Sequence, residues 1–446
     1  MTPGLLSVEE ALAAVLGAAP HPLPPERVPV VEALGRVLAE PVVASVDLPP
    51  WDNSSMDGYA IRAADVAGAT EAGPRRLEVR GEVAAGRFPD SEVSPGTAMR
   101  IATGAPLPPG ADAVVEVELT TPMDAAGAVG ARGRSTVGPL PAFVLVHTAS
   151  SPGANLRRRG EDLRASTTLL ERGRAIGPAE VALSTAAGVP RVTVHRVPKV
   201  VVISTGDELR PAGTALGPAG IPDANGPGLV ALCAAAGAEA LHLGIAPDEL
   251  GAMTRMLEDA VGRADIVVVS GGVSVGPYDI VRPAFERVGS VALWRVAVQP
   301  GKPFAFGVAS RVAGTGSANP VLLLGLPGNP VSTFVTFELF VRPLLRRLAG
   351  RPDADLLREV DRAVLEEPVA KAPGRRAFLR VTAIREGPAG LVGRDATGRV
   401  RVRLAGGQGS HILSALAAAD AFAIVPESVD ALPAGTPVEL WWLDRP

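Results

Sequence analysis

Glu208 in STGDEL, Asp248 in APDEL and Asp279 in GPYD each follow an apolar run and sit beside glycines or small hydroxyls. Singly, each reads as a helix N-cap or first-turn carboxylate, a role that stabilises a helix by about 1 kcal/mol. Brought together at one edge of a sheet, they suit Mg²⁺, which takes a few carboxylates plus substrate oxygens and water. SGGVSVGPYD places glycines and serines between the run DIVVV and a helix, so its backbone N–H groups suit a phosphate. The other reading of that segment is a tight strand-to-helix turn; it matches neither the dinucleotide fingerprint nor the P-loop. QPGKP supplies the opposite charge, with Lys302 aimed by flanking prolines. Arg375, Ser332 and Ser410 join Lys302 as donors for a small oxyanion.

Background composition sharpens these choices. Of 43 basic residues only Lys199, Lys302 and Lys371 are lysines, so a compact ammonium at 302 runs against the bias of the chain. The stretch PPWDNSSMDGYAIR holds Trp51, Asp52, Asn53, Met56, Asp57 and Tyr59, one of only two tyrosines. Asp57 reads as a functional loop carboxylate. Trp51, Met56 and Tyr59 read either as supports of that loop or as the plug of a β domain.

The remaining composition sets limits. With 446 residues, 47% of them hydrophobic, the chain is long enough for two to four folded domains. A net charge of −4 gives no field for nucleic acid or an anionic membrane. The lone Cys233 excludes an intrachain disulfide and a cysteine zinc cluster. No apolar run spans a bilayer and the start of the chain lacks a signal-peptide pattern, so a cytoplasmic protein is expected.

The elements that must carry these residues can be laid out along the chain. SVEE opens a first helix with a capping box of Ser7 and Glu10. Short β-like runs from 55 to 145 read as an inserted β domain, flanked by a discontinuous linking subdomain, 1–54 plus 146–185. From 186 to 350, Val/Ile/Leu runs alternate with helices, which predicts a mostly parallel, doubly wound sheet covered on both faces. Ligands bind such sheets at the carboxyl ends of strands, where STGDEL, SGGVSVGPYD and GLPGNP fall. Residues 351–446 read as a small β-barrel or sandwich, with Trp441 and Trp442 at its core and rim. The fold class is therefore α/β, multidomain.

PPWDNSSMDGYAIR, RIATGAPLPPGADAVV, NLRRRGEDL, ISTGDEL, SGGVSVGPYD, QPGKPFAFG, GLPGNPVS and QGSHILSAL, in that order, resemble the motif series of the molybdopterin molybdenumtransferases. The same series is similar to the C-terminal domain of gephyrin. The resemblance runs from about residue 5 to the end of the sequence. It implies four subdomains, an elongated homodimer, and insertion of molybdate into adenylylated molybdopterin with release of AMP, a handover in which a molybdopterin adenylyltransferase is a possible partner.

By motif match, Asp57 and Thr103 would serve the active site from the inserted β domain, against the sheet domain of the other subunit. Glu208, Asp248 and Asp279 would hold Mg²⁺ and the pyrophosphate. Ser204, Thr205, Gly206, Asn225, Ser270, Gly271, Gly272, Ser274, Gly276, Pro327, Gly328 and Asn329 would bind the pterin substrate. Gln299, Lys302, Ser332, Arg375 and Ser410 would surround molybdate. Two positions depart from the pattern: many members of the family carry Lys where this chain has Gln299, and often Lys where it has Arg295. Two other functions compete. An adenylyltransferase would need only residues 186–350, and a scaffold would have no use for Asp57, Glu208 and Asp279.

Overall fold

Ser7 opens the first helix, Val8–Gly17: its hydroxyl accepts from the Glu10 backbone N–H at 3.1 Å, and the Glu10 carboxylate accepts from the Ser7 N–H at 2.8 Å. A computed structural model of the chain describes residues 5–133, 138–273, 280–310, 319–388 and 390–443. The chain divides into two units, Pro41–Glu171 with Pro178–Arg191, and Met1–Glu40 with Arg172–Gly177 and Val192–Pro446. The first helix thus packs within the sheet unit, where Val8, Ala11 and Val15 share a core with Leu344, Leu345 and Leu348.

A six-stranded sheet organises that unit, in the order Glu239–Ala246, Lys199–Thr205, Ile266–Ser270, Val321–Leu326, Pro303–Ala309 and Gly289–Arg295. Side chains alternate across a strand, and here each alternate set finds its own core. Val200, Val202, Ile266, Val268, Leu322 and Leu324 pack with the helices Val8–Gly17 and Asn225–Ala235. Val201, Ile203, Val267, Val269 and Leu323 pack on the opposite face with the helices Leu250–Arg263 and Val281–Val288. Burial of both faces explains why these strands read as unbroken apolar runs. The first four strands are parallel, but Pro303–Ala309 and Gly289–Arg295 pair antiparallel. A continuous apolar run looks alike in either orientation, so the sequence did not separate them.

The chain then runs through the helix Pro330–Thr336, a π-helical turn Phe337–Val341 and the helix Arg342–Leu348. Pro343 lacks the N–H that an α-helical register would need there, which accounts for the widened turn. Beyond it, the strands Val360–Leu365, Arg376–Ala383, Val400–Leu404, Ala421–Val425 and Thr436–Trp442 close into a barrel through the pairing of Arg376–Ala383 with Ala421–Val425. Trp441 packs against Phe378 with ring centroids 5.5 Å apart.

The smaller unit is built on its own six-stranded sheet, ordered Ala113–Glu116, Gly58–Ile61, Thr97–Ile101, Arg75–Val83, Phe143–Val146 and Thr120–Met123. Tyr59, only 2% exposed, lies in its core with Ile61, Leu77 and Val144. Burial pushes its phenol above the usual pKa. Of the two readings of Tyr59, the plug is the one observed.

Candidate active site

The carboxyl ends of the parallel strands open into a cleft of about 800 Å³. Thr205, Gly206 and Glu208 line it after one strand, Asp248 after the next, and Ser270, Gly271 and Gly272 after a third. Pro327, Gly328, Asn329 and Ser332 line it from the turn and helix after the fourth, and His411 from the QGSH loop. Gly271 is required where it stands: its φ is +100°, and a Cβ there would lie 2.5 Å from the Thr205 carbonyl oxygen.

Asn225 ties three of these segments together. Its Nδ2 donates to Ser270 Oγ at 2.8 Å and to the Gly328 carbonyl at 2.7 Å, while its buried Oδ1 has no partner among the described residues. A buried acceptor left open on a cleft is a place for a donor on a bound molecule. Ser204, fully buried beneath, donates to Asp223 Oδ2 at 2.6 Å; Asp223 Oδ1 in turn takes the Gly226 N–H at 3.0 Å. His242 Nε2 lies 3.2 Å from Ser204 Oγ and 3.4 Å from Asp223 Oδ2. Ser204 thus positions the start of the Asn225–Ala235 helix and lies below the cleft lining. Thr205 Oγ1 donates to Asp248 Oδ1 at 2.9 Å, and the Asp248 N–H to Asp207 Oδ1 at 3.1 Å.

In the other unit, Asp57 is exposed, and its Oδ1 accepts both the Thr103 N–H at 2.7 Å and the Thr103 hydroxyl at 2.9 Å. The two loops that carry this pair are laced by backbone bonds, Ser54 N–H to Ala105 O, Gly104 N–H to Ser54 O and Leu107 N–H to Asp52 O. Asp52 is spent on structure. The Arg159 N–H and the Arg158 guanidinium hold its carboxyl below the usual range. Met56 remains exposed at the tip, and Trp51 meets Phe88 edge-on at 5.1 Å.

The residues singled out for an oxyanion do not share one wall. Ser332 is buried and lines the cleft. Gln299 lines a second cavity of about 200 Å³ together with Pro300, Lys371, Arg380 and Gln408. Lys302, Arg375 and Ser410 line neither, although Ser410 O accepts the Val331 N–H and so fixes the QGSH loop on the Pro330–Thr336 helix. Gly301 has φ +119°, and a Cβ there would stand 2.8 Å from Thr336 Cγ2, so the QPGKP turn presses on the same helix. Arg376 is locked between Glu9 and Glu427, which leaves Arg375 as the other arginine of the GRR run.

Comparison with known proteins places this geometry. Residues 6–188 match the MoeA N-terminal region (domain I and II), 201–347 the probable molybdopterin binding domain, and 362–443 the MoeA C-terminal region (domain IV). The molybdopterin molybdenumtransferase 2 of Mycobacterium tuberculosis is 38% identical over 423 residues, which are 94% of this chain and 95% of that protein. The chain belongs to the MoeA family. The molybdopterin molybdenumtransferase of Haemophilus influenzae is 33% identical over 436 residues, 98% of each chain. A MoeA protein of Pyrococcus horikoshii, 33% identical, superimposes with a TM-score of 0.75 over 98% of this chain and 99% of its own.

In this MoeA-family chain, the described residues contain no group of three or more His, Cys, Asp or Glu side chains placed to hold a metal. Glu208 and Asp248 nevertheless face one cleft and have no basic partner among the described residues. An unneutralised pair of carboxylates fits a hard cation that completes its shell with water and phosphate oxygens. Ser274, Gly276 and Asp279 lie outside the described residues. Sequence reasoning missed Asp223, Asp207, His242 and His411. Asp223 was two residues before the flagged Asn225, and a helix-capping aspartate in IPDANG was the available signal.

Proposed function

We propose that the protein is a molybdopterin molybdenumtransferase that takes adenylylated molybdopterin and molybdate, releases AMP and leaves the molybdenum cofactor. The observation that carries this reading is the strand-end cleft, in which two unneutralised carboxylates, an open Asn225 acceptor and the small-residue turns after three parallel strands converge. Membership of the MoeA family supplies the reaction.

Within the cleft, Asn225 and the turns Ser270–Gly272 and Pro327–Asn329 orient the pterin and its phosphates. Thr205 fixes Asp248 through its hydroxyl. Glu208, Asp248 and Asp279 would hold Mg²⁺, which would supply charge neutralisation at the pyrophosphate. Breaking that phosphoanhydride consumes one water and frees AMP. Replacement of two molybdate oxygens by the dithiolene sulfurs releases them as water, with protons from the thiols and solvent. Ser332 on the cleft wall, and Gln299, Lys302, Arg375 and Ser410 on the loops beside it, are the donors available to molybdate next to the sulfurs, and holding it there makes the exchange effectively intramolecular. Asp57, aligned by Thr103, acts from a second copy of the chain, which makes the working unit a homodimer. The protein works in the cytoplasm, beside the adenylyltransferase that forms its substrate, and uses neither nucleic acid nor membrane.

The test supplies the purified protein either with adenylylated molybdopterin, molybdate and Mg²⁺, or with molybdopterin and Mg-ATP. AMP release and activation of an apo-molybdoenzyme are expected only from the first mixture. Adenylylation of molybdopterin in the second would assign the preceding reaction instead.

A further inference from the structure

Asp223 lines both the strand-end cleft and a further cavity of about 640 Å³, whose walls include Asp207, Arg210, His242 and Gly244. Its side chain is 3% exposed, and the basic group paired with it among the described residues is His242, not an arginine or a lysine. A carboxylate buried without a permanent cation is expensive, so its hydrogen bonds must offset the cost. The Ser204 hydroxyl and the Gly226 N–H supply two of them. His242 lines the further cavity and not the cleft, so it meets Asp223 from behind the substrate side.

The hydrogens of this cluster follow by elimination. An ionised carboxylate only accepts, so the single Ser204 hydroxyl hydrogen goes to Asp223 Oδ2 at 2.6 Å. Ser204 Oγ then has only lone pairs to offer His242 Nε2, 3.2 Å away, and that nitrogen must carry the hydrogen. Gly226 fits the same contact: a Cβ there would lie 2.5 Å from His242 Cε1 and Nε2 and 2.6 Å from Asp223 Oδ2. Glycine is a poor helix former, and its place in the first turn of the Asn225–Ala235 helix is explained by the room that the imidazole needs. That helix carries no charged side chain of its own.

We propose that His242 is a positioning residue for the cleft: its Nε2–H fixes the Ser204 hydroxyl, Ser204 fixes the Asp223 carboxylate, and Asp223 fixes the helix start that carries Asn225. Asn225 then presents its open Oδ1 to the bound molecule while its Nδ2 spans Ser270 and Gly328. Acting through Asp223 and Asn225, His242 governs how tightly substrate is held and not the bonds that break. The consequence for turnover rests on the molybdenumtransferase reading; the imidazole tautomer and the anchoring of the helix start do not.

Nitrogen-15 magnetic resonance of the full-length wild type, with His242 assigned from its backbone, should show the neutral imidazole as the Nε2–H tautomer. The Nδ1–H tautomer would overturn the proposal without recourse to any variant. Hydrogen exchange at the Gly226 amide should be about two- to tenfold faster in His242→Leu, which has no donor, the range for loss of one hydrogen bond. In the same variant the KM for adenylylated molybdopterin should rise about two- to tenfold, with kcat of AMP release within about twofold. His242→Gln, whose amide N–H can take the place of Nε2–H, should recover most of both effects. Unchanged exchange and KM in His242→Leu would overturn the positioning role and leave the molybdenumtransferase reading intact. Faster exchange with KM unchanged would reduce the contact to a structural one and overturn it as well. Faster exchange in His242→Leu, in a protein that releases no AMP even as wild type, would keep the anchoring by His242 and count against the molybdenumtransferase reading.

Discussion

The strand-end cleft and the smaller cavity are served by the same two loops yet carry opposite charge. QPGKP puts Pro303 in the cleft and Gln299 in the cavity; QGSH puts His411 in the cleft and Gln408 in the cavity. On the cleft side the ionised groups are Glu208 and Asp248, without basic partners among the described residues. On the cavity side they are Lys371 and Arg380. Charges of opposite sign placed that close would neutralise one another if they met directly; about 4 Å of separation is worth ~4 kcal/mol at an effective dielectric near 20. Two loops that contribute to both spaces instead keep an acidic region and a basic region distinct while holding them in one unit.

The largest expected effect is on the acidic side. Asp248→Ala removes one of the two paired carboxylates and leaves the Thr205 hydroxyl without its acceptor. AMP release should fall by about a hundred- to a thousandfold, the range for loss of one electrostatic group at a reacting centre. Mn²⁺ binding followed by electron paramagnetic resonance should weaken in parallel, whereas molybdate affinity by calorimetry should stay within about twofold. Equal loss of both affinities would show that the two regions are one site.

Arg380→Met tests the basic side through stability. The substitution conserves volume but removes the bonds to the Gly407 and Gly409 carbonyls, each worth about 0.5–1.5 kcal/mol. The melting temperature should fall by a few degrees. A variant that melts like the wild type would mean that the QGSH loop is anchored elsewhere, by the Gln408 amide on the Arg380 backbone and by Ser410 on Val331.

These two regions were not equally legible in the sequence. The cleft announced itself through residue types that the chain otherwise avoids, Asn225 and Asn329 among them, at the ends of apolar runs whose length fixed the strands. Position at a strand end is a one-dimensional property, so Thr205, Ser270 and Gly328 could be placed by counting. The cavity is assembled from separate segments spread between residues 299 and 408, and its principal cation, Arg380, is of the commonest basic type in the chain. Lys371 carried a signal, being one of three lysines, but nothing local tied it to Gln299. The side-by-side packing of the first helix with the Arg342–Leu348 helix was likewise invisible, because periodicity reports which face is apolar and not what covers it.

Asp57→Asn probes the same chemistry from the smaller unit. The amide can still accept from Thr103, and Asp57 is exposed, so stability should change by no more than about 0.5 kcal/mol. AMP release should fall by about tenfold or more while molybdate binding is retained, as expected of a carboxylate that serves the cleft side. A fully active Asp57→Asn protein would remove this loop from the chemistry and leave it a structural turn.

The smallest effect concerns Cys233, which lies buried on the Asn225–Ala235 helix that begins at the cleft. Burial pushes its thiol from 9.0 up to about 12. At pH 8 such a thiol carries about a thousandfold less thiolate than an exposed one, and the thiolate is the nucleophile. Because the folded value is raised, the contribution of this group to stability is complete below pH 9 and declines as the pH rises towards 12. Iodoacetamide should therefore leave the native protein unlabelled over minutes at pH 8 and modify it at once in denaturant. Slow labelling reports local opening of the helix, so a nucleotide or pterin bound at Asn225 should slow it further. Rapid labelling of the free protein would mean that the helix carrying Asn225 is not held in place before substrate binds.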